Sequence, residues 1–476
     1  MKTDKDNQPE KFKARLVAGG NRQREGHDYF DTYAPVISYN TLRILLAIAA
    51  VLGWTVLQID IKTAFLNGDL EEELYMFLPP GFHQGLSKCV RLLKSLYGLK
   101  QSPRMWYLKL KSLLNKLGFR DSPYDNALLV HDTGPHVVSM CTLVDDMLIA
   151  SENPAYTQHM VDKILSVFEG TQSTDCSMYG GIRINWFPTE HAVHLSQEAH
   201  IMDLVNKVKP KNVQWAPKSL PIKPDLRLHN LGTTDEWNSP ALNTGLYDYR
   251  SVIGTLTYIT CCTRPDIAFV VNQLAKYSHA PTVAHWDVAI GVVQYLLGTA
   301  KWGIKLGHQV VMHDVQGCPH SILAYSDSEF GTGINDKRPA SGRVSLLHGG
   351  CVIWKSHSQK LVADSTTAAE LREMGCAAKD AQWLKHILPI FSVSVDKFPI
   401  LGDNKAAVDS VRSLAPTQHT KHLEIAVATM RQLYAHGVVD FQLVEGSENP
   451  ADIFTKALKE PAFRKLRHML AIVPSA

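Results

Sequence analysis

The chain has 476 residues, 45% hydrophobic and 20% charged, with a formal net charge of +3. That composition excludes a disordered, fibrous or low-complexity protein and fits roughly two to four globular domains. The eight cysteines form no C-x-x-C pair, which excludes a zinc-finger or disulfide scaffold and implies an intracellular chain. Residues 1–15 are polar and basic, so no signal peptide is expected there. The longest apolar run, Leu42–Val56, is broken by Arg43, Gly53 and Thr55 and is too short to span a bilayer. Residues 1–24 carry seven basic side chains (Lys2, Lys5, Lys11, Lys13, Arg15, Arg22, Arg24) against three acids (Asp4, Asp6, Glu10). Such an edge suits a polyanion, or a solvated arm.

In chain order, Phe12–Ala18 alternates basic and apolar residues and predicts a strand presenting Lys13 and Arg15. Asn40–Leu52 predicts a helix with Ser38 or Asn40 as cap and Gly53 past its end; it is apolar all round, hence buried. Val56–Ile61 predicts a strand interrupted by Asp60. A lone Asp in a strand is unfavourable and needs a partner, either a metal or a hydrogen bond. Ser95–Gln101 predicts a loop whose Gly98 and Lys100 let backbone approach a ligand; Ser102 as cap and Pro103 then open a helix to about Leu117. His136–Ser151 predicts a hairpin, with Asp145 and Asp146 between two apolar runs. Adjacent carboxylates beside a buried sheet call for a cation, and a hard divalent ion with oxygen ligands is the natural one. A plain surface turn would carry the same pair. Asp60 is the natural third carboxylate.

Lys13-Ala-Arg-Leu-Val-Ala18, Asp60-Ile-Lys-Thr-Ala-Phe-Leu-Asn-Gly-Asp69, Lys94-Ser-Leu-Tyr-Gly-Leu-Lys-Gln-Ser-Pro-Arg104 and Val144-Asp-Asp-Met-Leu-Ile-Ala150 resemble, in order and spacing, the successive blocks of a copia-type LTR-retrotransposon reverse transcriptase. The resemblance covers about the first 200 residues and is carried by four blocks together, far more specific than any one. It implies an α+β right-hand polymerase of fingers, palm and thumb, with the fingers truncated at the N-terminus. It implies that Asp60 and Asp145 hold two Mg²⁺ ions (Mn²⁺ being the substitute) with Asp146 beside them, for attack of a primer 3′-hydroxyl on a dNTP. Phe65 matches the family's ribose gate, the alternative being an ordinary core Phe. Lys13 and Arg15 match fingers contacts to the triphosphate, and Tyr97, Gly98 and Lys100 the loop under the nascent base pair. Gly180 and Gly181 match the primer grip, whereas residues 170–177 depart from the pattern. Leu143 stands where the family usually has a Tyr that touches the primer end.

Residues 208–245 read as a linker; Tyr249–Ile259, Thr263–Ala268 and His285–Leu297 resemble the family's thumb and connection. From Ile322 the pattern changes. Strands are expected at Ile322–Ser326, ending at Asp327, then at Arg343–Leu347 and Cys351–Lys355 around a Gly349-Gly350 turn. A helix is expected at Ser365–Leu384 carrying Glu370, a strand at Phe398–Leu401 before Asp403, a helix from Lys405 and another at Leu423–Ala435. A strand at Val438–Val444 and a last helix capped by Asn449–Asp452 complete the series. Acids at strand ends and on helices converge readily in an α/β fold into a two-metal nuclease site. Tyr325-Ser-Asp327, Ser365-Thr-Thr-Ala-Ala-Glu370, Gly402-Asp-Asn-Lys-Ala-Ala407 and Asn449-Pro-Ala-Asp-Ile-Phe-Thr-Lys456 resemble the ribonuclease H domain of the same elements. That resemblance implies an α/β domain with a mixed sheet and Asp327, Glu370, Asp403 and Asp452 as metal ligands. Ala368 stands where the family commonly has an acid, and no His closely precedes Asp452; His419 and His422 read as structural or substrate contacts.

The sequence therefore reads as a Pol fragment: fingers and palm at 1–207, a linker at 208–245, a thumb-like region at 246–312 and a ribonuclease H-like domain at 320–476. The partners implied are RNA template, DNA primer, their RNA–DNA hybrid and dNTPs. The location implied is a cytoplasmic particle or the nucleus, and nothing in the sequence sets an oligomeric state. The rivals are a decayed copy that only binds nucleic acid, a ribonuclease alone, and an unrelated metal-dependent phosphotransferase.

Overall fold

The computed structural model describes residues 2–3, 9–11, 14–79, 81–82, 89–133, 136–224, 226, 239–307, 322–330, 338–413 and 424–475, with backbone alone for 2–3, 9–11 and 424. The chain forms two compact units, Met1–Ser38 with Thr55–Cys176, and Tyr39–Trp54 with Ser177–Ala476. Helix α1 (Tyr39–Leu52) thus belongs to the second unit although its sequence lies between segments of the first.

In the first unit, β1 (Lys2–Thr3) and β2 (Pro9–Lys11) pair antiparallel. The main body is a six-stranded antiparallel sheet built from β3 (Thr55–Ile61), β6 (Arg120–Ser122), β7 (Asp125–His131), β8 (Val138–Leu143), β9 (Asp146–Ser151) and β10 (Gly170–Ser173). Their order is β10-β3-β9-β8-β7-β6. Strands β4 (Asp69–Phe77) and β5 (Cys89–Lys94) form a separate ribbon. Helices α2 (Ser102–Lys116) and α3 (Pro154–Leu165) bury Trp106, Leu110, Leu114, Val161 and Ile164 against Leu57, Ile59 and Ile61 of β3 and Met147 and Ile149 of β9. Alternation along β3 explains its two faces: Leu57, Ile59 and Ile61 point into this core, leaving Gln58 and Asp60 on the other side.

Two expectations are corrected here. The described part of Phe12–Ala18, residues 14–18, is not a strand. Its backbone is committed to a loop instead, Ala18 N donating to Tyr97 O at 2.7 Å. Ser102 is the first residue of α2 and not its cap, which is Gln101; the Ser102 hydroxyl donates to Leu96 O at 2.6 Å and closes the preceding loop.

The second unit holds two sheets. One, wholly antiparallel, runs β11 (Met178–Tyr179), β12 (Ile182–Phe187), β13 (Ala192–Ser196), β14 (Trp302–Gly307) and, at its far edge, the C-terminal β20 (Ile472–Pro474). The other has the order β17-β16-β15-β18-β19, with β15 (Leu323–Glu329), β16 (Ala340–Leu347), β17 (Gly350–Ser358), β18 (Phe398–Gly402) and β19 (Val439–Leu443). It is mixed, as expected: β15 pairs antiparallel with β16 and parallel with β18. Helices α4 (Glu198–Val208), α5 (Tyr249–Cys262), α6 (Ala268–Ala275) and α7 (Val283–Gly298) precede this sheet in the chain. Helix α8 (Thr366–Ile387) lies between β17 and β18, α9 (Lys405–Arg412) and α10 (Glu424–Ala435) between β18 and β19, and α11 (Glu460–Met469) after β19. Strand β15 continues two residues past Asp327, the turn before β17 is His348-Gly349, and Asn449 opens a short 3-10 helix, Pro450–Phe454, with α11 beyond it.

Two buried arginines bind this unit together. Arg43 of α1 donates to the carbonyls of Val352, Cys261 and Cys262 at 2.8–3.0 Å and to Asn40 Oδ1 at 2.6 Å, so Asn40 serves this arginine. Arg264 and Asp266 form a bidentate pair at 3.0 and 2.8 Å with both side chains wholly buried. Tyr295 of α7 donates to Asp266 and accepts from Arg467 of α11 at 2.9 Å. A buried ion pair is weak proof of stability, but removing one partner strands the other charge in a low dielectric. Asp266→Ala is therefore expected to destabilise the second unit by about 3–5 kcal/mol in a denaturant titration, whereas an unchanged midpoint would mean that Arg264 regains solvent.

Candidate active sites

Strands β3 and β9 place Asp60 directly opposite Asp146 in register, so the two side chains share the face of the sheet that β3 turns away from the core. Asp145 occupies the two-residue turn between β8 and β9, and its carbonyl accepts from Ile61 N at 2.9 Å. The residue before it, Val144, has φ +59°, a strained conformation for a β-branched side chain. The Trp106 indole N–H, donating to Val144 O at 2.6 Å, holds the turn from below. Such strain persists only where the surroundings impose it. Burial raises the Asp146 carboxyl to about 7, with Asp60 and Asp145 adding repulsion and the Gln58 hydrogen bond opposing it. Gln58 donates to both Asp146 oxygens, at 2.9 and 3.1 Å. Gln58 went unnoticed in the sequence, although its i–2 relation to Asp60 in a strand puts it on the same face.

A second group assembles beside the loop at 95–101. Thr63, at φ +49°, turns the chain into a 3-10 segment, Ala64–Asn67. Its half-buried Phe65 packs on Tyr97 with centroids 4.9 Å apart. The Arg15 guanidinium lies over the other partner of that stack, 5.3 Å from the Tyr97 ring. Gly98 has φ +93°, and a Cβ there would stand 2.2 Å from Ala18 O, so only glycine allows residues 17–20 to pass so close. Arg15, Phe65, Tyr97 and Gly98 are thus brought together. Lys100 is turned aside, its ammonium donating to Tyr29 OH at 3.0 Å. Gln101, another residue the sequence did not flag, braces the loop from a fully buried position through Asp28 O and Glu72. Lys13, His419 and His422 lie outside the described residues.

In the second unit Gly180 and Gly181, at φ +55° and +76°, form the turn between β11 and β12. Tyr258 of α5 donates to Gly180 O at 2.8 Å, and a Cβ on Gly181 would lie 2.4 Å from that hydroxyl.

The other carboxylates of this unit converge. Asp327 projects from β15, Asp403 follows β18, and Asp452 sits in the 3-10 segment that Asn449 anchors by donating to Ser326 O at 3.0 Å. One ligand oxygen from each of the three lies within 4.8 Å of the others. Glu370 comes from α8, whose cap Ser365 accepts from Ala368 N at 3.1 Å; residue 368 thus serves the helix start through its backbone. Asp327, Glu370 and Asp452 are 4%, 4% and 8% exposed, and Glu370 Oε2 and Asp452 Oδ1 are buried without a hydrogen-bond partner among the described residues. Burial raises the Glu370 carboxyl to about 9, reinforced by Asp327 and Asp403. Burial likewise raises Asp452 to about 7, with Asp327 adding and Lys456 opposing. An all-oxygen set with orphaned buried acceptors fits a hard divalent cation.

Unflagged residues also shape this site. Thr455 donates to Asp327, and Lys456 lies 2.9 Å from Asp452. One turn along α8 from Glu370, the buried Glu373 accepts from Arg343 at 2.9 Å, and Arg343 also reaches Asp380, pinning α8 to β16. Burial holds the neighbouring His357 down to about 4, so its ring stays neutral.

Residues 1–224 match the family described as reverse transcriptase (RNA-dependent DNA polymerase). The chain is 31% identical over 475 residues to the retrovirus-related Pol polyprotein from transposon RE2 of Arabidopsis thaliana, covering 99% of this chain and 31% of that protein. It is 29% identical to the corresponding polyprotein from transposon TNT 1-94 of Nicotiana tabacum, covering 99% of this chain and 35% of the relative. The chain spans about a third of the length of these curated relatives. Among solved structures, a foamy viral protease–reverse transcriptase in complex with dsDNA aligns with 84% of this chain and 70% of its own, at 12% identity and a TM-score of 0.43. No helix among the described residues is long and apolar enough to cross a membrane.

The raised carboxyls carry a stability consequence. A carboxyl whose folded pKa lies above its unfolded value holds its proton in the folded state, so stability falls as pH rises between the two values. Without divalent metal, the second unit is expected to lose stability from about pH 4 to about pH 9, the range set by Asp452 and Glu370. Thermal melts in EDTA should show a falling Tm across that range, and added Mg²⁺ should flatten the slope. A Tm that rises with pH in EDTA would contradict the geometry.

Proposed function

We propose that this chain, whose residues 1–224 are a reverse transcriptase domain of the kind found in copia-type retrotransposon Pol polyproteins, extends a DNA primer on an RNA template and cleaves the RNA strand of the resulting hybrid. The observation that carries the first activity is the register of Asp60 opposite Asp146 with Asp145 in the adjoining turn. Asp60 and Asp145 would hold the divalent ions, Mg²⁺ or its substitute Mn²⁺, while Gln58 keeps Asp146 oriented. When bound, two such ions activate the primer 3′-hydroxyl and neutralise charge on the departing pyrophosphate. Arg15 with Lys13 binds the triphosphate, and Tyr97 and Gly98, with the backbone at Lys100, shape the floor under the new base pair. Phe65, backed by Tyr97, excludes a 2′-hydroxyl. Gly180 and Gly181 line the primer backbone.

In this reading residues 1–207 supply fingers and palm, 208–245 a linker, 246–312 a thumb- and connection-like region and 320–476 a ribonuclease H-like domain. Asp327, Glu370, Asp403 and Asp452 hold the metal of the second activity and orient a water against the RNA strand. RNA template, DNA primer, hybrid and dNTPs are the partners, gripped through phosphates and therefore salt-sensitive. A second reading, hybrid cleavage alone, draws support from Leu143 in the primer-facing position and from the close convergence of Asp327, Asp403 and Asp452.

Primer extension on an RNA template in Mg²⁺ tests the first activity. Asp145→Asn should lower it by about a hundredfold or more, since a lost metal ligand removes several kcal/mol of transition-state stabilisation. Phe65→Ala should raise ribonucleotide use relative to dNTP by roughly tenfold to a hundredfold with extension retained. Unchanged sugar selection in Phe65→Ala would remove the gate assignment, and no extension by the unaltered chain would leave the cleavage reading.

A further inference from the structure

We propose that Lys456 is a resident counter-ion of the second carboxylate centre, which offsets part of its negative charge in the metal-free protein and opposes entry of a divalent cation. The inference rests on reading that centre as a metal site. Lys456 lies four residues past Asp452, beyond the 3-10 segment Pro450–Phe454, and its ammonium stands 2.9 Å from Asp452 Oδ2. Its charge also faces Asp327 and Glu329 of β15. Thr455, just past that segment, donates to Asp327.

The charge balance makes the position informative. Asp327, Asp403 and Asp452 meet here with Glu370 as an electrostatic neighbour, and among the described residues the Lys456 ammonium pairs with Asp452. It satisfies one oxygen of Asp452 and leaves Asp452 Oδ1 and Glu370 Oε2 buried without a hydrogen-bond partner among the described residues. A divalent ion among the same oxygens would meet the ammonium at a few ångströms, where like charges repel strongly in a poorly solvated site. The Lys456 side chain is 36% exposed, so its flexible stem has an outward path. Metal entry then exchanges one cation for another, and the lysine sets the metal concentration at which the centre fills.

A merely structural lysine and a competing one predict opposite signs. Mn²⁺ binding is measured by titration calorimetry on the full chain carrying Asp60→Asn and Asp145→Asn, so that the first centre contributes no heat, with Asp403→Asn added to identify the second. Lys456→Met should tighten Mn²⁺ binding by about tenfold, the effect of removing one like charge nearby. It should also lower the Tm in EDTA, with Mn²⁺ restoring it. Lys456→Arg, which keeps the charge, should stay within about threefold of the unaltered site. If Lys456→Met loses its folded far-UV spectrum, Lys456→Gln, which retains a donor for Asp452, carries the same test. Unchanged or weaker Mn²⁺ binding in the folded neutral variant overturns the proposal while leaving the metal site standing. Absence of any Mn²⁺ site sensitive to Asp403→Asn overturns the metal reading and this proposal with it.

Discussion

Carboxylates gathered on or beside buried strands are the constraint on which both units turn. A carboxylate removed from water without a compensating charge is unfavourable, and several together repel. The chain nonetheless sets the exposed Asp60 opposite the half-buried Asp146 on neighbouring strands, and draws one oxygen each of Asp327, Asp403 and Asp452 to within 4.8 Å of the others. In each case ordinary packing continues around the acids. In the first unit Leu57, Ile59 and Ile61 fill the core from the opposite face of β3. In the second Asn449 and Thr455 spend their hydrogen bonds holding the acidic segment onto β15. The surroundings are thus built to keep like charges together, which is the arrangement a polyvalent cation rewards.

The supporting contacts follow from this. Val144 is forced into a left-handed turn and Trp106 holds it there. Gln58 spends its amide on Asp146. Glu373 and Arg343 lock the helix that presents Glu370. None of these residues is a carboxylate of either cluster, yet each limits how far one can move.

Much of this was legible in the sequence because it depends on short periods. A strand containing Asp60, a hairpin around Asp145 and Asp146, and a long helix carrying Glu370 are local patterns, and the structure has them. What escaped depends on partners distant in the chain. Phe12–Ala18 looks like a strand by alternation, but residues 17–20 lie against Tyr97 and Gly98, so the backbone of its described part, 14–18, closes a loop. Ser102 looks like a cap, but its hydroxyl is taken by Leu96. Lys100 reads as part of a loop open to a ligand, but its ammonium faces Tyr29. Arg43 sits in an apolar helix as an apparent interruption, and only the fold reveals the carbonyls of Val352, Cys261 and Cys262 that it serves. The unit boundary between Cys176 and Ser177 likewise carries no compositional mark.

On the proposed function, one chain carries two metal-dependent centres that act separately, one in each compact unit. The most direct measurement is Mg²⁺-dependent cleavage of an RNA–DNA hybrid, without dNTPs, by the full chain and by its Asp60→Asn and Asp403→Asn forms. The account predicts cleavage that survives Asp60→Asn and disappears in Asp403→Asn. Cleavage lost in the folded Asp60→Asn form, or retained in Asp403→Asn, would contradict it.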